Sequence, residues 1–315
     1  MNLISAMRYL VSLSEHKHFG RAAQASHITQ PALSNALRAL ESEFDVVIVK
    51  RDRNFEGFTQ EGERVLAAAQ SMLHEHANLL QELKSETHAP KGSVRMAAVP
   101  TAVPILARFS AMLQSSYPGV LPVVLSMSST DIEHGLEDLS LDIALGYIER
   151  TSKRDYRVEA LPQYNEHYFL LRRAVKNNGE GLKFGPKIRW AEAAKLPLCL
   201  LTSDMHNRSV VDAAFQKAGV VVGPVIETNS ILTMALSVVA GNVCSIMPGA
   251  LVGVVRNYKE LEALPLVSPV VNTPVGFMTH SVVRPSRALA AALSLAKDKE
   301  WLAHASIHSG LLNGR

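Results

Sequence analysis

Cysteine is scarce in this chain: two among 315 residues, Cys199 and Cys244, far apart and in no CxxC pair. That excludes a disulfide framework and points to a reducing compartment, with both thiols read as small buried hydrophobes, the alternative being a redox switch. No HExxH, no GxSxG and no glycine-rich phosphate loop occurs. The twelve histidines are scattered, and His16/His18 and His74/His76, each two apart, face different ways on a helix. The sequence therefore predicts no enzyme, no cofactor and no metal. Net charge is only +3, so the whole chain is not a polycation, and any contact with nucleic acid has to come from local positive charge. A membrane-spanning helix needs about 20 apolar residues in a row. The most apolar stretch, 231–255, is broken by Gly241-Asn242 and Pro248-Gly249 and reads as a buried helix followed by a buried strand. The start MNLISAMRYL has no basic n-region or small-residue cleavage site. A cytoplasmic protein is expected.

What the chain does have is apolar content, 47% of residues, enough for packed cores. Its length suits two or three domains. Residues 1–58 carry seven Lys/Arg against six Asp/Glu, and the positive charge gathers at Lys50, Arg51 and Arg53. Within that stretch, 19–41 predicts two short helices joined by a tight turn. Ala22, Ala23 and Ala25 lie in the first, and Leu33, Leu37 and Leu40 share one face of the second. Thr29 is a plausible N-cap, and Pro31 falls in the first turn, where a missing N–H costs little. This is the pattern of a helix-turn-helix, whose second helix can enter a DNA major groove. An earlier helix over about 5–15, burying Met7, Leu10, Val11 and Ser14, and two strands at 46–49 and 54–58 would make it winged.

The third helix carries the chemistry for reading bases. Gln30, Ser34, Asn35 and Arg38 lie within two turns and can share a face. Gln or Asn can bind adenine bidentately, Arg can bind guanine, and Ser can contact base or phosphate. Thr29, Pro31 and Ala32 complete the candidate DNA-contacting set at the start of that helix. Arg38 could instead pair with Glu41 one turn on. Lys50, Arg51 and Arg53 in the wing would meet phosphate or a minor groove.

From Thr59 to about residue 86 a long helix is expected. Leu66, Leu73 and Leu80 recur every seven residues, with Ala69, His76 and Leu83 three further on, an a/d repeat of nearly three heptads. Leu66, Ala69, Leu73, Leu80 and Leu83 are therefore candidates for a dimer contact, the alternative being a helix docked on its own domain. Thr87-His88-Ala89-Pro90-Lys91-Gly92 marks a domain boundary. Beyond it, short apolar strands alternate with helices, which predicts an α/β domain with mainly parallel sheets, long enough for two lobes. Thr130-x-x-Glu133 reads as a capping box.

At this point the residues resemble a known family, the LysR-type transcriptional regulators of bacteria. The motifs are Phe19-Gly20-Arg21-Ala22-Ala23, the run Thr29-Gln30-Pro31-Ala32-Leu33-Ser34, Leu37-x-x-Leu40-Glu41, Lys50-Arg51 and Thr59-x-x-Gly62. The resemblance covers essentially the whole chain, by motif at the N-terminus and by architecture beyond it. It implies a winged helix-turn-helix over 1–58 and a dimerising linker helix over 59–89. It also implies an effector domain over 90–315 of two lobes like periplasmic binding proteins, lobe I at about 90–162 and 270–315 and lobe II at about 163–269. A homodimer or homotetramer on double-stranded DNA is implied. The sequence departs from the family at Phe44-Asp45, commonly Leu-Gly, at Ile48-Val49, commonly Leu-Phe, and at Asn35 and Ala36, where many members carry Arg or Gln. Asp45 stands where φ is often positive, which Asp tolerates better than most residues.

The resemblance implies a small-molecule effector between the lobes. Hydroxyl-bearing residues sit at the matching strand ends, where open α/β sheets bind ligands and helix N-termini favour anions. They are Thr101, with Ala102 beside it, Ser128 and Ser129, Gly146-Tyr147, Thr202-Ser203, and Thr228-Asn229. An organic anion is expected there. The N-terminal half is most similar to proteobacterial members encoded beside formate dehydrogenase genes, which makes a small carboxylate such as formate a candidate effector. Two other classes compete: an enzyme, and a transport-type solute-binding protein on the same α/β fold.

Overall fold

The computed structural model describes residues 2–51, 55–84, 90–153, 158–175, 181–281 and 284–309. They form two compact units, residues 1–84 and 85–315. In the first, helices α1 (Leu3–His16), α2 (Phe19–Ala25) and α3 (Gln30–Phe44) precede a two-stranded antiparallel wing, β1 (Val49–Arg51) and β2 (Phe55–Phe58), and a 25-residue helix α4 (Gln60–Lys84). The caps follow the sequence. His18 Nδ1 accepts from Gly20 and Arg21 N–H to start α2, and Thr29 Oγ1 accepts from Ala32 N–H to start α3. Asp45 ends α3 at φ +51°. Met7, Leu10, Leu33, Leu37, Leu40 and Ile48 are fully buried together, whereas Val11 and Ser14 are only half-buried.

The wing starts later than expected. Val46 N–H bonds the Glu41 carbonyl, and Ile48 and Val49 N–H donate to the Glu41 carboxylate. That ties the strand's beginning back to the end of α3. Arg53 lies outside the described residues. Gly62 explains the Thr59-x-x-Gly62 motif. Thr59 Oγ1 caps α4 by accepting from Gly62 N–H, at 2.9 Å. A Cβ on Gly62 would stand 2.1 Å from the Ile48 carbonyl oxygen, so only glycine lets α4 approach the wing.

The heptad reading of α4 needs correction in its first half. Leu66 and Ala69 are buried in the core of their own unit, and Leu73 packs against that core, because α1 covers this end of α4. Farther along, Leu80 and Leu83 are exposed, with Met72 and Leu79. His76 is half-buried.

The second unit holds two sheets. Its elements are β3 (Gly92–Ala98), α5 (Val103–Ser116), β4 (Val120–Ser126), α6 (Ser129–Glu137), β5 (Ile143–Tyr147), β6 (Val158–Glu166), β7 (Tyr168–Arg173), β8 (Lys183–Phe184), β9 (Ile188–Arg189), α7 (Trp190–Ala193), β10 (Leu198–Leu201), α8 (His206–Lys217), β11 (Ile226–Thr228), α9 (Ile231–Ala240), β12 (Cys244–Pro248), α10 (Gly249–Val254), β13 (Leu261–Val267), β14 (Thr273–His280), α11 (Arg287–Ala296) and α12 (Lys299–Ser309). Lobe I carries the order β4-β3-β5-β14-β6, and lobe II β11-β10-β12-β7-β13-β8 with β9 on β13.

Both sheets are mainly parallel, as expected: β14 alone runs against the other strands of lobe I, and β7 alone against those of lobe II. Each reversed strand follows a crossing between the lobes, β7 after His167 and β14 after residues 268–272. The first crossing lies beyond the expected 162/163 boundary because β6 stays paired with β14 through Glu166. Helix α6 is capped by Ser128, which accepts from Asp131 N–H, so Thr130 falls inside the helix rather than at a capping box. Among the described residues no helix is long and apolar enough to cross a membrane.

Candidate nucleic-acid interface and ligand cleft

Helix α3 is divided lengthwise. Leu33, Leu37 and Leu40 have no exposed surface, while Gln30, Pro31, Ala32, Asn35 and Arg38 are exposed, as is Thr29, and Ser34 is half-buried. The predicted base-reading side chains thus lie on the outward part of the helix. Arg38 Nη1 donates to Asn35 Oδ1 at 3.1 Å, so its partner is Asn35 and not Glu41, whose carboxylate holds the wing. This fixes an amide and a guanidinium side by side, donors and acceptors suited to adjacent base edges. Lys50 is exposed on β1 and Arg51 ends that strand.

The cleft lies within the second unit, at the carboxyl ends of β3, β4, β5 and β10. Its walls are Val99, Pro100, Thr101, Ser128, Ser129 and Tyr147 from lobe I, and Leu201, Met205, His206 and Asn207 from lobe II; the void between them is about 10 Å³. A neighbouring recess is bounded by Gly146, Ser129, Glu133 and Arg150. A polar relay crosses from lobe to lobe. Thr101 Oγ1 lies 2.9 Å from Tyr147 OH. Asn207 Nδ2 donates to Tyr147 OH and to Tyr168 OH, each at 3.1 Å. Tyr168 OH lies 3.5 Å from Thr273 Oγ1 on the second crossing strand. Alongside it, Arg150 Nε donates to Glu133 at 2.6 Å, and Arg150 Nη1 approaches His206 Nδ1 at 3.4 Å.

Burial sets the electrostatics. Loss of water pushes the Tyr147 phenol up to about 12, against the pull of hydrogen bonds from Thr101 and Asn207. Burial likewise raises Tyr164 and Tyr168, and holds the Glu166 carboxyl well above the usual carboxylate range despite N–H donors from Ala250 and Gly249. Burial therefore disfavours charge at the centre of this unit, and Arg150 is matched by Glu133. Ser129 Oγ is buried with no hydrogen-bond partner, a group that a ligand could satisfy.

Thr101, Ser128, Ser129, Gly146 and Tyr147 are brought together as expected. Ala102 instead belongs to the lobe I core, and Ser203 and Asn229 are exposed. The Thr202 hydroxyl is buried without a partner, outside the cleft wall. The polar part of the lobe II wall comes from the first turn of α8, which a loop separates from the end of β10 at Leu201. His206 and Asn207 escape sequence reasoning for that reason, although a helix start after a strand end was the available signal.

Cys199 and Cys244 are both buried, and burial raises both thiols. Strand pairing sets Leu198 opposite Cys244 and Cys199 opposite Ser245, so the thiols point to opposite faces of the sheet and into different cores.

Comparison with known proteins decides the family. A model described as the LysR substrate binding domain matches residues 87–300, and one described as the bacterial regulatory helix-turn-helix protein of the lysR family matches residues 4–63. The chain belongs to the LysR family. It is a DNA-binding transcriptional regulator with an effector-binding domain, not an enzyme. A hydrogen peroxide-inducible genes activator of Haemophilus influenzae is 27% identical over 277 residues, 84% of this chain and 86% of that protein. The dual regulator OxyR of Escherichia coli is 34% identical over 116 residues, 36% of this chain and 38% of the relative. Among solved structures, a full-length OxyR variant of Pseudomonas aeruginosa superposes with TM-score 0.67 at 21% identity, over 92% of this chain and 96% of that one. The regulator CbnR in complex with its target DNA superposes with TM-score 0.63 at 18% identity, over 96% and 99%. These two likenesses establish the fold.

Proposed function

We propose that this regulator binds paired DNA half-sites through α3 and the wing, and that a small polar effector in the Thr101–Ser129–Tyr147–Asn207 cleft controls how the two copies engage DNA. Gln30, Ser34, Asn35 and Arg38 read bases, with Thr29, Pro31 and Ala32 at the helix start against the backbone. Lys50, Arg51 and Arg53 meet phosphate. One copy offers few base contacts and little net charge, so affinity comes from two linked copies. Leu80 and Leu83, joined by Met72 and Leu79, supply the dimer contact on α4, while Leu66, Ala69 and Leu73 hold the helix to its own unit. A dimer, or a tetramer built from it, is the acting species.

The observation that carries the effector reading is the relay through Asn207. It joins the lobes around a void with room for about one water. A larger molecule therefore enters only by parting the lobes, which couples occupancy to shape. The orphan hydroxyl of Ser129, and the Asn207 amide once parting of the lobes releases it from the tyrosines, are donors for a small carboxylate, and formate is the candidate. The operon beside the gene is the expected target.

The relatives named as peroxide-inducible activators favour a second reading, a response to hydrogen peroxide. Oxidation of cysteine needs an accessible thiolate. Cys199 and Cys244 are buried with raised pKa on opposite faces, which argues against a thiol route here. Thermal shift of the full chain with formate and other small carboxylates, beside gel shift on the adjacent upstream DNA, tests the proposal. A carboxylate should raise the melting temperature and alter the shifted band, and Ser129→Ala should abolish both changes. Altered DNA binding by hydrogen peroxide alone, lost in Cys199→Ser, would replace this reading with the second.

A further inference from the structure

Away from the cleft, α5, α10 and α12 meet around an open groove of about 760 Å³. Its floor is apolar: Val103, Pro104, Ala107 and Ala111 from α5 and Val254 from α10. Its rim carries two cations, Arg108 from α5 and Arg256 just past α10, and the titratable His308 from α12. Among the described residues lining it there is no Asp or Glu. Arg108 is held along the rim by its own helix, with Nη1 donating to the Pro104 carbonyl at 3.1 Å. The Arg256 backbone is anchored where its carbonyl accepts from Leu182 N–H at 2.7 Å, which leaves an exposed side chain.

Three positively charged or chargeable groups over an apolar floor have the chemistry of a receptor for an anion with an apolar body. The groove also joins the lobes. Helix α10 follows β12 of lobe II in the chain, yet Ala250 lies in the lobe I core and α10 packs on α5 and α12. We infer that this groove is a second ligand site, separate from the cleft, which takes a small amphipathic carboxylate between Arg108, Arg256 and His308 and thereby ties α10 of lobe II to lobe I. This does not depend on the cleft reading.

The electrostatics agree. Burial first, then Arg108 on α5, His304 on its own helix and Arg256 beyond α10, lower the His308 pKa. An anion seated among them favours the imidazolium, so binding takes up a proton and strengthens as pH falls.

Benzoate is the probe, inorganic phosphate the comparison, and the full chain the sample. Side-chain NMR of His308 and titration calorimetry are the readouts. Saturable benzoate binding is expected, tighter at pH 6 than at pH 8, with the His308 titration midpoint moved up. Arg256→Gln, at an exposed position, should weaken binding about tenfold, and Arg108→Gln similarly. An unmoved His308 midpoint overturns the proposal. So does a phosphate effect as large as that of benzoate, since the apolar floor would then contribute nothing. Benzoate binding that survives both arginine changes and disappears in Ser129→Ala belongs to the cleft and also overturns it. Concentration-dependent shifts at His308 without benzoate would make the groove a contact between copies, again against the proposal.

Discussion

In the helix-turn-helix unit, the exposed side chains proposed to read bases share one helix, and the buried face of that helix holds them in place. In the cleft, each polar atom comes from a different segment: Thr101 after β3, Ser129 at the start of α6, Tyr147 at the end of β5, Asn207 in the first turn of α8. The first arrangement is rigid and local, so one side chain can change one base contact and nothing else. The second is shared between lobes, so one side chain alters both ligand and shape. The two units should therefore fail differently when perturbed.

The largest expected effect is in the rigid unit. Leu37→Ala removes a fully buried side chain and should cost about 2–5 kcal/mol. Calorimetry should show a lowered transition for the N-terminal unit, with DNA binding lost and effector binding retained. Equal destabilisation of both units would break the contrast.

Next comes Asn207→Ala, which leaves Tyr147 and Tyr168 hydroxyls short of a donor. About 1–3 kcal/mol of stability should be lost. Scattering should show the lobes more open, and DNA affinity without effector should change with no change in base preference. A variant with unaltered stability would mean that the relay does not hold the lobes.

A comparable energy, confined to single base pairs, is expected for Asn35→Ala: about 1–3 kcal/mol of discrimination at one position of each half-site. Lys50→Ala should weaken all sequences alike and lower the salt slope by about 1. Base-by-base competition measurements separate the two.

The smallest effect is with alkali. Burial pushes the Tyr147 phenol from its ordinary 10.0 up to about 12. Its raised folded pKa gives stability fully present below pH 10 and lost as pH rises towards about 12. Tyr147→Phe should flatten part of the fall in stability over that window, with Tyr164 and Tyr168 supplying the rest.

The same contrast governs what the sequence revealed. Thr29-Gln30-Pro31 and the Leu33/Leu37/Leu40 spacing specify cap, first turn and buried face within a few residues, so α3 was legible. Thr101, Ser129 and Tyr147 were legible because strand ends in alternating α/β chains are ligand positions. Asn207 was not, since its role depends on two tyrosines from β5 and β7 that only tertiary structure brings together. Leu66 and Ala69 fit a dimer seam by spacing alone, and the docking of α1 that buries them carries no periodic signal. The first wing strand was displaced for a similar reason: the Glu41 carboxylate, at the end of α3, accepts from Ile48 and Val49 N–H.

The most direct test of a cleft that governs a paired reader is DNase footprinting of the full chain on the upstream DNA of the adjacent operon, with and without formate. The wild type should protect two half-sites, and formate should change the spacing or extent of protection. Ser129→Ala should protect the same half-sites with no response. A footprint of a single site, or a formate response that persists in Ser129→Ala, would contradict it.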